Sequence, residues 1–160
     1  MPVCFAPVVS DDTRILIIGT MPSEASLAAQ EYYAFKHNAF WRIVAAVAGT
    51  AYDENYAGRL SALKSLHCGL WDNLQYCERE GSLDSAIRHE VPNDFETLLA
   101  QYPCIQKLLF NGQKSYQFFK KYHSKLLNKY QYAVLPSTSP ANAGISYETK
   151  LAAWRQEMTS

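Results

Sequence analysis

The chain alternates short, continuously apolar runs with longer segments whose apolar residues recur at helical spacing. Arg14-Ile-Leu-Ile-Ile-Gly19 and Ile105 to Phe110 carry no regular polar alternation, as expected for strands buried on both faces of a parallel sheet. Gln131 to Leu135 is a third strand candidate and Cys68-Gly-Leu-Trp71 a weaker fourth. Between them, Ser23 is placed to cap a helix over Glu24 to Glu31. Asn38 is placed to cap a second helix on which Phe40, Trp41, Val44 and Val47 share a face and which Gly49 ends. Further helices are expected over Asn55 to Leu66, from the capping-box pair Asn93 and Glu96 to the residue before Pro103, over Gln113 to Tyr122, and from Ser146 to Glu157. Asp72 to Gly81 reads as a polar connection and Ser82 to Ile87 as a short helix. Strands alternating with helices predict an α/β protein, and no internal repeat is visible.

At 160 residues and 48% hydrophobic, the chain suits one domain spanning residues 1–160 with a substantial core, and it lacks the composition of disordered or collagenous sequences. Its formal net charge is zero, which taken alone argues against an anionic partner. The distribution changes that. Residues 1–96 carry seven basic and thirteen acidic side chains, whereas residues 97–147 carry six lysines and no acid. Lys107, Lys114, Lys120, Lys121, Lys125 and Lys129 are either an ordinary solvated face or a surface that meets phosphates. The four cysteines and four histidines are too widely spaced for zinc or iron–sulfur motifs, so no metal is expected and the thiols read as free and buried. Without a basic leader or an apolar run of membrane-spanning length, the expectation is a soluble, intracellular, cytoplasmic protein without membrane association.

In an open α/β sheet, ligands bind beyond the carboxyl ends of the strands, which directs attention to Gly19-Thr-Met-Pro-Ser23, the segment after Trp71, Asn111-Gly112 and Pro136-Ser-Thr-Ser-Pro140. None carries a dinucleotide, P-loop or nucleophile-elbow fingerprint. They offer backbone N–H groups, hydroxyls and the carboxamide of Asn111. Ser137 has no visible base partner that would make it a nucleophile. Tyr32 to Trp41 packs five aromatic residues and a histidine into ten positions. Phe40 and Trp41 suit a core, while Tyr32, Tyr33 and Phe35 precede the helix, where a ring can stack on a planar ligand such as a nucleobase.

In order along the chain, Gly19-Thr-Met-Pro-Ser23, Tyr32-Tyr33, Asn38-Ala-Phe-Trp41, Gly69-Leu-Trp-Asp72, Arg79-Glu-Gly-Ser-Leu-Asp-Ser85, Phe110-Asn-Gly112 and Leu135-Pro-Ser-Thr-Ser-Pro-Ala141 resemble the hypoxanthine-DNA (DNA-deoxyinosine) glycosylase family of the uracil-DNA glycosylase superfamily. The resemblance runs from about Arg14 to Trp154. It implies a three-layer α/β/α sandwich around a short, mainly parallel four-stranded sheet. It also implies a monofunctional enzyme of base excision repair that flips a deaminated base, hypoxanthine first among them, out of double-stranded DNA and hydrolyses its N-glycosidic bond. No metal or organic cofactor is implied, and a monomer is expected.

Many superfamily members carry a catalytic acid or amide in the first motif. Thr20-Met21-Pro22 supplies neither, and the resemblance places the catalytic asparagine at Asn38 instead. A neutral carboxamide is a poor base, so Asn38 would orient water and stabilise charge; a plain helix cap is the competing reading. Tyr33 would stack under the flipped base, Asn111 would contact the base or assist catalysis, and Gly19, Thr20, Met21, Pro22 and Ser23 would line the base site, where N–H groups within Thr20 to Ser23, near a helix N-terminus, would stabilise negative charge on a base oxygen. Pro136, Ser137, Thr138, Ser139 and Pro140, together with Lys114, are the DNA-contacting candidates, the loop acting as a minor-groove or phosphate wedge. Two departures stand out: Leu135 occupies a position where relatives often have histidine, and Lys36 lies where they commonly have proline. Uracil or mismatch excision, a non-catalytic DNA-binding module and a small-molecule hydrolase are the alternatives.

Overall fold

A computed structural model describes residues 5–78 and 87–159. Four five-residue strands, β1 (Ile15–Gly19), β2 (Cys68–Asp72), β5 (Lys107–Asn111) and β6 (Gln131–Leu135), form one sheet in the order β2-β1-β5-β6, every neighbouring pair parallel. The unbroken apolar run of β1 follows from its central position. Ile15 and Ile17 point to one face, Leu16 and Ile18 to the other, and all four are buried.

On the first face, α2 (Phe40–Ala48), α3 (Tyr56–Ser65) and α6 (Tyr147–Met158) bring Phe40, Trp41, Ile43, Leu63 and Trp154 against Ile17, Leu70 and Leu109. On the second, α4 (Phe95–Gln101) and α5 (Gln113–His123) bring Phe95, Leu98, Leu99 and Phe119 against Leu16, Ile18, Leu108 and Phe110. The result is the expected three-layer α/β/α arrangement. The short α1 (Glu24–Ala29) follows β1; Ser23 caps it by accepting the Ser26 N–H at 3.1 Å. Ser146 caps α6 in the same way, through Thr149.

Three expectations need correction. The Asp72 to Gly81 region is not simply a connection: β3 (Leu74–Glu78) pairs antiparallel with β4 (Arg88–Pro92) in a separate two-stranded sheet. Its polar composition hid it: among the described side chains, Leu74 and the adjoining Ile87 are buried against Met21 and Phe118. The cap of α4 is Asp94, whose Oδ1 accepts the Thr97 N–H at 3.1 Å, rather than Asn93. Of the cysteines, Cys68 is buried, which pushes its thiol up to about 12, but Cys104 is exposed. Cys4, the side chain of Cys77, the Arg79 to Ser85 motif and most of the expected Ser82 to Ile87 helix lie outside the described residues.

Asn93 has a different task. Its Nδ2 donates to Asp72 O at 2.8 Å, and its N–H donates to Asn73 O at 2.7 Å. The buried Asn73 in turn donates from Nδ2 to Gly19 O at 2.9 Å and to Ser115 O at 2.9 Å, while Ser115 Oγ donates to Ile18 O at 2.6 Å. These bonds fix the start of the small ribbon and of α5 to the carboxyl end of β1, where the backbone leaves the sheet and would otherwise bury unpaired polar groups. Asn73→Ala removes the Nδ2 bonds to Gly19 O and Ser115 O together, and we expect a loss of about 2–3 kcal/mol, read as a lower urea midpoint at unchanged m-value.

Candidate active site

Because the four parallel strands are in register, Gly19 faces Asp72, and Asn111 faces Leu135 at the same edge of the sheet. The segments leaving those ends enclose one open cavity of about 930 Å³. It is lined by Gly19 to Ser23, Tyr33, Asn38, Asp72, Asn111 and the Pro136 to Pro140 loop. Every base-binding, catalytic and loop residue expected from the sequence therefore converges there. Lys114 does not line it.

Asn38 closes a turn whose first residue is Phe35: the Asn38 N–H donates to Phe35 O at 2.9 Å. The next residue, Ala39, is the backbone N-cap of α2, and Asn38 Oδ1 accepts the Phe40 N–H at 2.9 Å. The N-cap is therefore Ala39 and not Asn38 as expected, although the Asn38 oxygen still pairs with the first amide of the helix. The Phe40 amide orients the carboxamide oxygen without exhausting its two lone pairs, and the side chain still lines the cavity.

Tyr33 lies against the buried Phe40, ring centroids 4.2 Å apart and planes 33° from parallel. Its backbone is left-handed, with φ 54°, which is costly for a bulky residue and here separates it from Tyr32. Tyr32 turns into the core, where its carbonyl accepts from Trp41 Nε1 at 2.7 Å and its hydroxyl donates to Ala6 O at 2.9 Å. Gly19 allows a close approach: a Cβ there would fall 2.5 Å from Asp72 Oδ1 and 2.8 Å from the Tyr33 hydroxyl. Asp72 is buried and lines the cavity. It belongs to a motif recognised in the sequence but carried no assigned role; being the last residue of β2 was the available signal.

Asn111 and Thr138 clasp each other. Asn111 Nδ2 donates to Thr138 Oγ1 at 3.0 Å, and the Thr138 N–H donates to Asn111 Oδ1 at 2.9 Å. Thr138 O then accepts the Ala39 N–H at 3.0 Å, joining the loop to the Asn38 turn. Thr138 is 1% exposed, so among the loop residues it is the anchor rather than a surface group. Ser137 Oγ accepts the Ser139 N–H and Ser139 Oγ the Ala141 N–H, each at 3.2 Å, which leaves both hydroxyl hydrogens for donation. Lys150, pressed under the loop, donates to Ser139 O at 3.4 Å, and burial lowers its pKa. At Gly112, φ is 95° and the N–H donates to Leu135 O at 3.0 Å, turning the chain from β5 into α5 beside Ser137.

The lysine-rich stretch is divided by the fold. Lys114 is exposed in the first turn of α5, next to the cavity edge, with its ammonium 5.1 Å from the Phe118 ring centroid. Because α5 runs back along the sheet and Gln131 pairs with Lys107, Lys125 and Lys129 lie toward the opposite edge, and Lys107 itself is paired with Glu157 at 2.8 Å. Among the described residues, no three His, Cys, Asp or Glu side chains converge as a metal site, and no helix is long and apolar enough to cross a membrane.

A parallel α/β/α sandwich with an amide, an aromatic ring and a hydroxyl-rich loop around a strand-end cavity defines the class, and the family model of the uracil DNA glycosylase superfamily matches residues 6–158. The chain belongs to that superfamily. Within it, the chain is 34% identical to a hypoxanthine DNA glycosylase of Methanosarcina barkeri, covering 95% of this chain and 94% of the relative. It is 39% identical to a hypoxanthine DNA glycosylase of Methanosarcina acetivorans, covering 89% of each. The solution NMR structure of a Methanosarcina acetivorans protein, provisionally described as a uracil DNA glycosylase, superposes with a TM-score of 0.82 at 36% identity over 97% of this chain and 94% of that one.

Two predictions follow from the geometry. Gly19→Ala forces Asp72 and Tyr33 apart, so turnover should fall at least tenfold while the thermal midpoint shifts by only a few degrees; both are read on the same purified variant. Lys114→Ala should reduce the slope of log affinity against log salt by about 0.9, whereas Lys125→Ala and Lys129→Ala should leave that slope unchanged in fluorescence-anisotropy titrations with duplex DNA.

Proposed function

We propose that the protein is a monofunctional DNA glycosylase that removes hypoxanthine from deoxyinosine in double-stranded DNA. The observation that carries this reading is the position of Asn38 on the cavity wall, with its oxygen oriented by the Phe40 amide, in a chain whose Thr20 to Pro22 segment holds no acid. The names of the two curated relatives support the same substrate.

The reaction adds water to the sugar C1′ and breaks the C1′–N9 bond, the base leaving with the bonding electron pair and a proton from the water completing its ring. Asn38 has no titratable group, so its contribution is to hold the water and the developing positive sugar in line. The base rests on Tyr33, itself backed by Phe40, and backbone donors of the Thr20 to Ser23 segment face the electron-rich leaving group. Those donors act locally: α1 has only six residues, too short for a large helix dipole. Asn111 acts mainly by fixing the Thr138 loop and thereby the Asn38 turn, with its second Nδ2 hydrogen left for the base. Pro136, Ser137, Ser139 and Pro140 meet the DNA backbone, the two serine hydroxyls donating to phosphate oxygens. The scheme is that of a monomer, and a DNA substrate supports an intracellular protein.

Labelled duplexes containing inosine, uracil, xanthine or ethenoadenine, treated with enzyme and then alkali, test the reading: cleavage at inosine should dominate. Inosine strands left intact at high enzyme concentration would refute it, and preferential cleavage at uracil would move the assignment to uracil excision. Asn38→Ala should lower single-turnover cleavage by about 10²–10³, with affinity for the same duplex kept within threefold.

A further inference from the structure

A nucleotide that leaves the duplex for this cavity vacates a gap one base thick, which closes again unless an apolar side chain occupies it. The Pro136 to Ala141 loop offers no large apolar side chain, only the small rings of Pro136 and Pro140 beside serine, alanine and a buried Thr138, and Ile145 further along the same connection lines the cavity but is only partly exposed. The turn before α2 presents a large one. Phe35 is 41% exposed and lines the cavity, and of the large apolar side chains exposed among the described residues it alone does so. Its ring meets His37 edge to face at 5.3 Å and 76°, so it is braced rather than free to collapse into the core. Lys36 and His37, also exposed, form the tip of the same turn, and Lys36 supplies a positive charge where phosphates would flank an inserted ring.

We propose that Phe35 is the wedge of this protein, inserting into the base stack beside the extruded nucleotide. The inference rests on the DNA-glycosylase reading and adds the residue that stabilises the flipped state. Phe35 O accepts the Asn38 N–H at 2.9 Å, so the ring that enters the stack and the amide that orients water are the two ends of one hydrogen-bonded turn. The Ala39 to Thr138 bond ties that turn directly to the Pro136 to Pro140 loop, which holds the wedge and the phosphate contacts together. Insertion of Phe35 thus places Asn38 against the extruded nucleotide in the same motion.

Two measurements on the full chain test this. The first compares cleavage of inosine in duplex and in single-stranded DNA, because only the duplex needs its gap filled. Phe35→Ala should lower the duplex-to-single-strand rate ratio at least tenfold, with Phe35→Leu intermediate and Phe35→Trp near wild type. A ratio that stays within twofold of wild type overturns the proposal. The second needs no chemistry: a duplex with a tetrahydrofuran abasic analogue beside 2-aminopurine is titrated with protein. Wild type should raise the 2-aminopurine fluorescence several-fold and Phe35→Ala by less than half as much; equal signals, or none from wild type, overturn the proposal. Should wild type cleave no modified base, the glycosylase reading fails, and this fluorescence still decides the insertion of Phe35.

Discussion

The site depends on the in-register parallel pairing of β1 with β2 and β5, and of β5 with β6. Parallel pairing sends every strand's carboxyl end to the same edge, and five-residue strands leave no slack for one end to recede from the others. Register is enforced by burial. Sliding β1 by one position would turn Ile15 and Ile17 toward the layer that holds Phe95 and Phe119, and Leu16 and Ile18 toward the layer that holds Phe40 and Trp154. The packing of two helical layers therefore fixes where four loops meet.

Around that edge, rigidity comes from backbone polar groups that cannot be left unpaired. Asn73, Asn93 and Ser115 satisfy the carbonyls at the ends of β1 and β2, while Asn111 and Thr138 satisfy each other across the gap between β5 and the loop after β6. Through Ala39 the same chain of bonds reaches Asn38. A carboxamide that works by orientation gains from such a scaffold, since a misplacement of about 1 Å can cost a hundredfold in rate. The left-handed backbone at Tyr33 and the missing Cβ at Gly19 are local costs of bringing an aromatic ring and a buried carboxylate to one point.

Electrostatics follow the topology rather than the order of residues. The acid-free stretch looks like one cationic surface in sequence, yet Lys107 opens β5 at its amino end, Lys114 lies beside the cavity, and Lys125 and Lys129 return toward the amino ends of the strands. A chain of zero net charge needs only a local excess of positive charge to hold a phosphate backbone, and a small excess keeps non-specific binding weak.

The buried strands, the α/β alternation and the segments that leave the strand ends were readable from the chain, because continuous apolar runs and strand-end loops are local signals. Ile15 to Ile18 fits a strand covered on both sides, and the motif order carried the family. The β3–β4 ribbon was not readable, since its burial is concentrated at Leu74 and Ile87 and depends on Met21 and Phe118 arriving from elsewhere. Nor was the cap of α4, where Asn93 and Asp94 are chemically equivalent candidates and only the buried carbonyl of Asp72 claims Asn93. Asn38 could be named from sequence, but the shift of the cap to Ala39 and the turn that leaves Asn38 on the cavity wall belong to the tertiary structure. The sequence determined which chemical groups are present and which segments are buried, since both are properties of neighbouring residues. The tertiary structure decided which groups meet, which lysines lie near the cavity and which ring stands at its rim, because those are distances between residues that the chain keeps far apart.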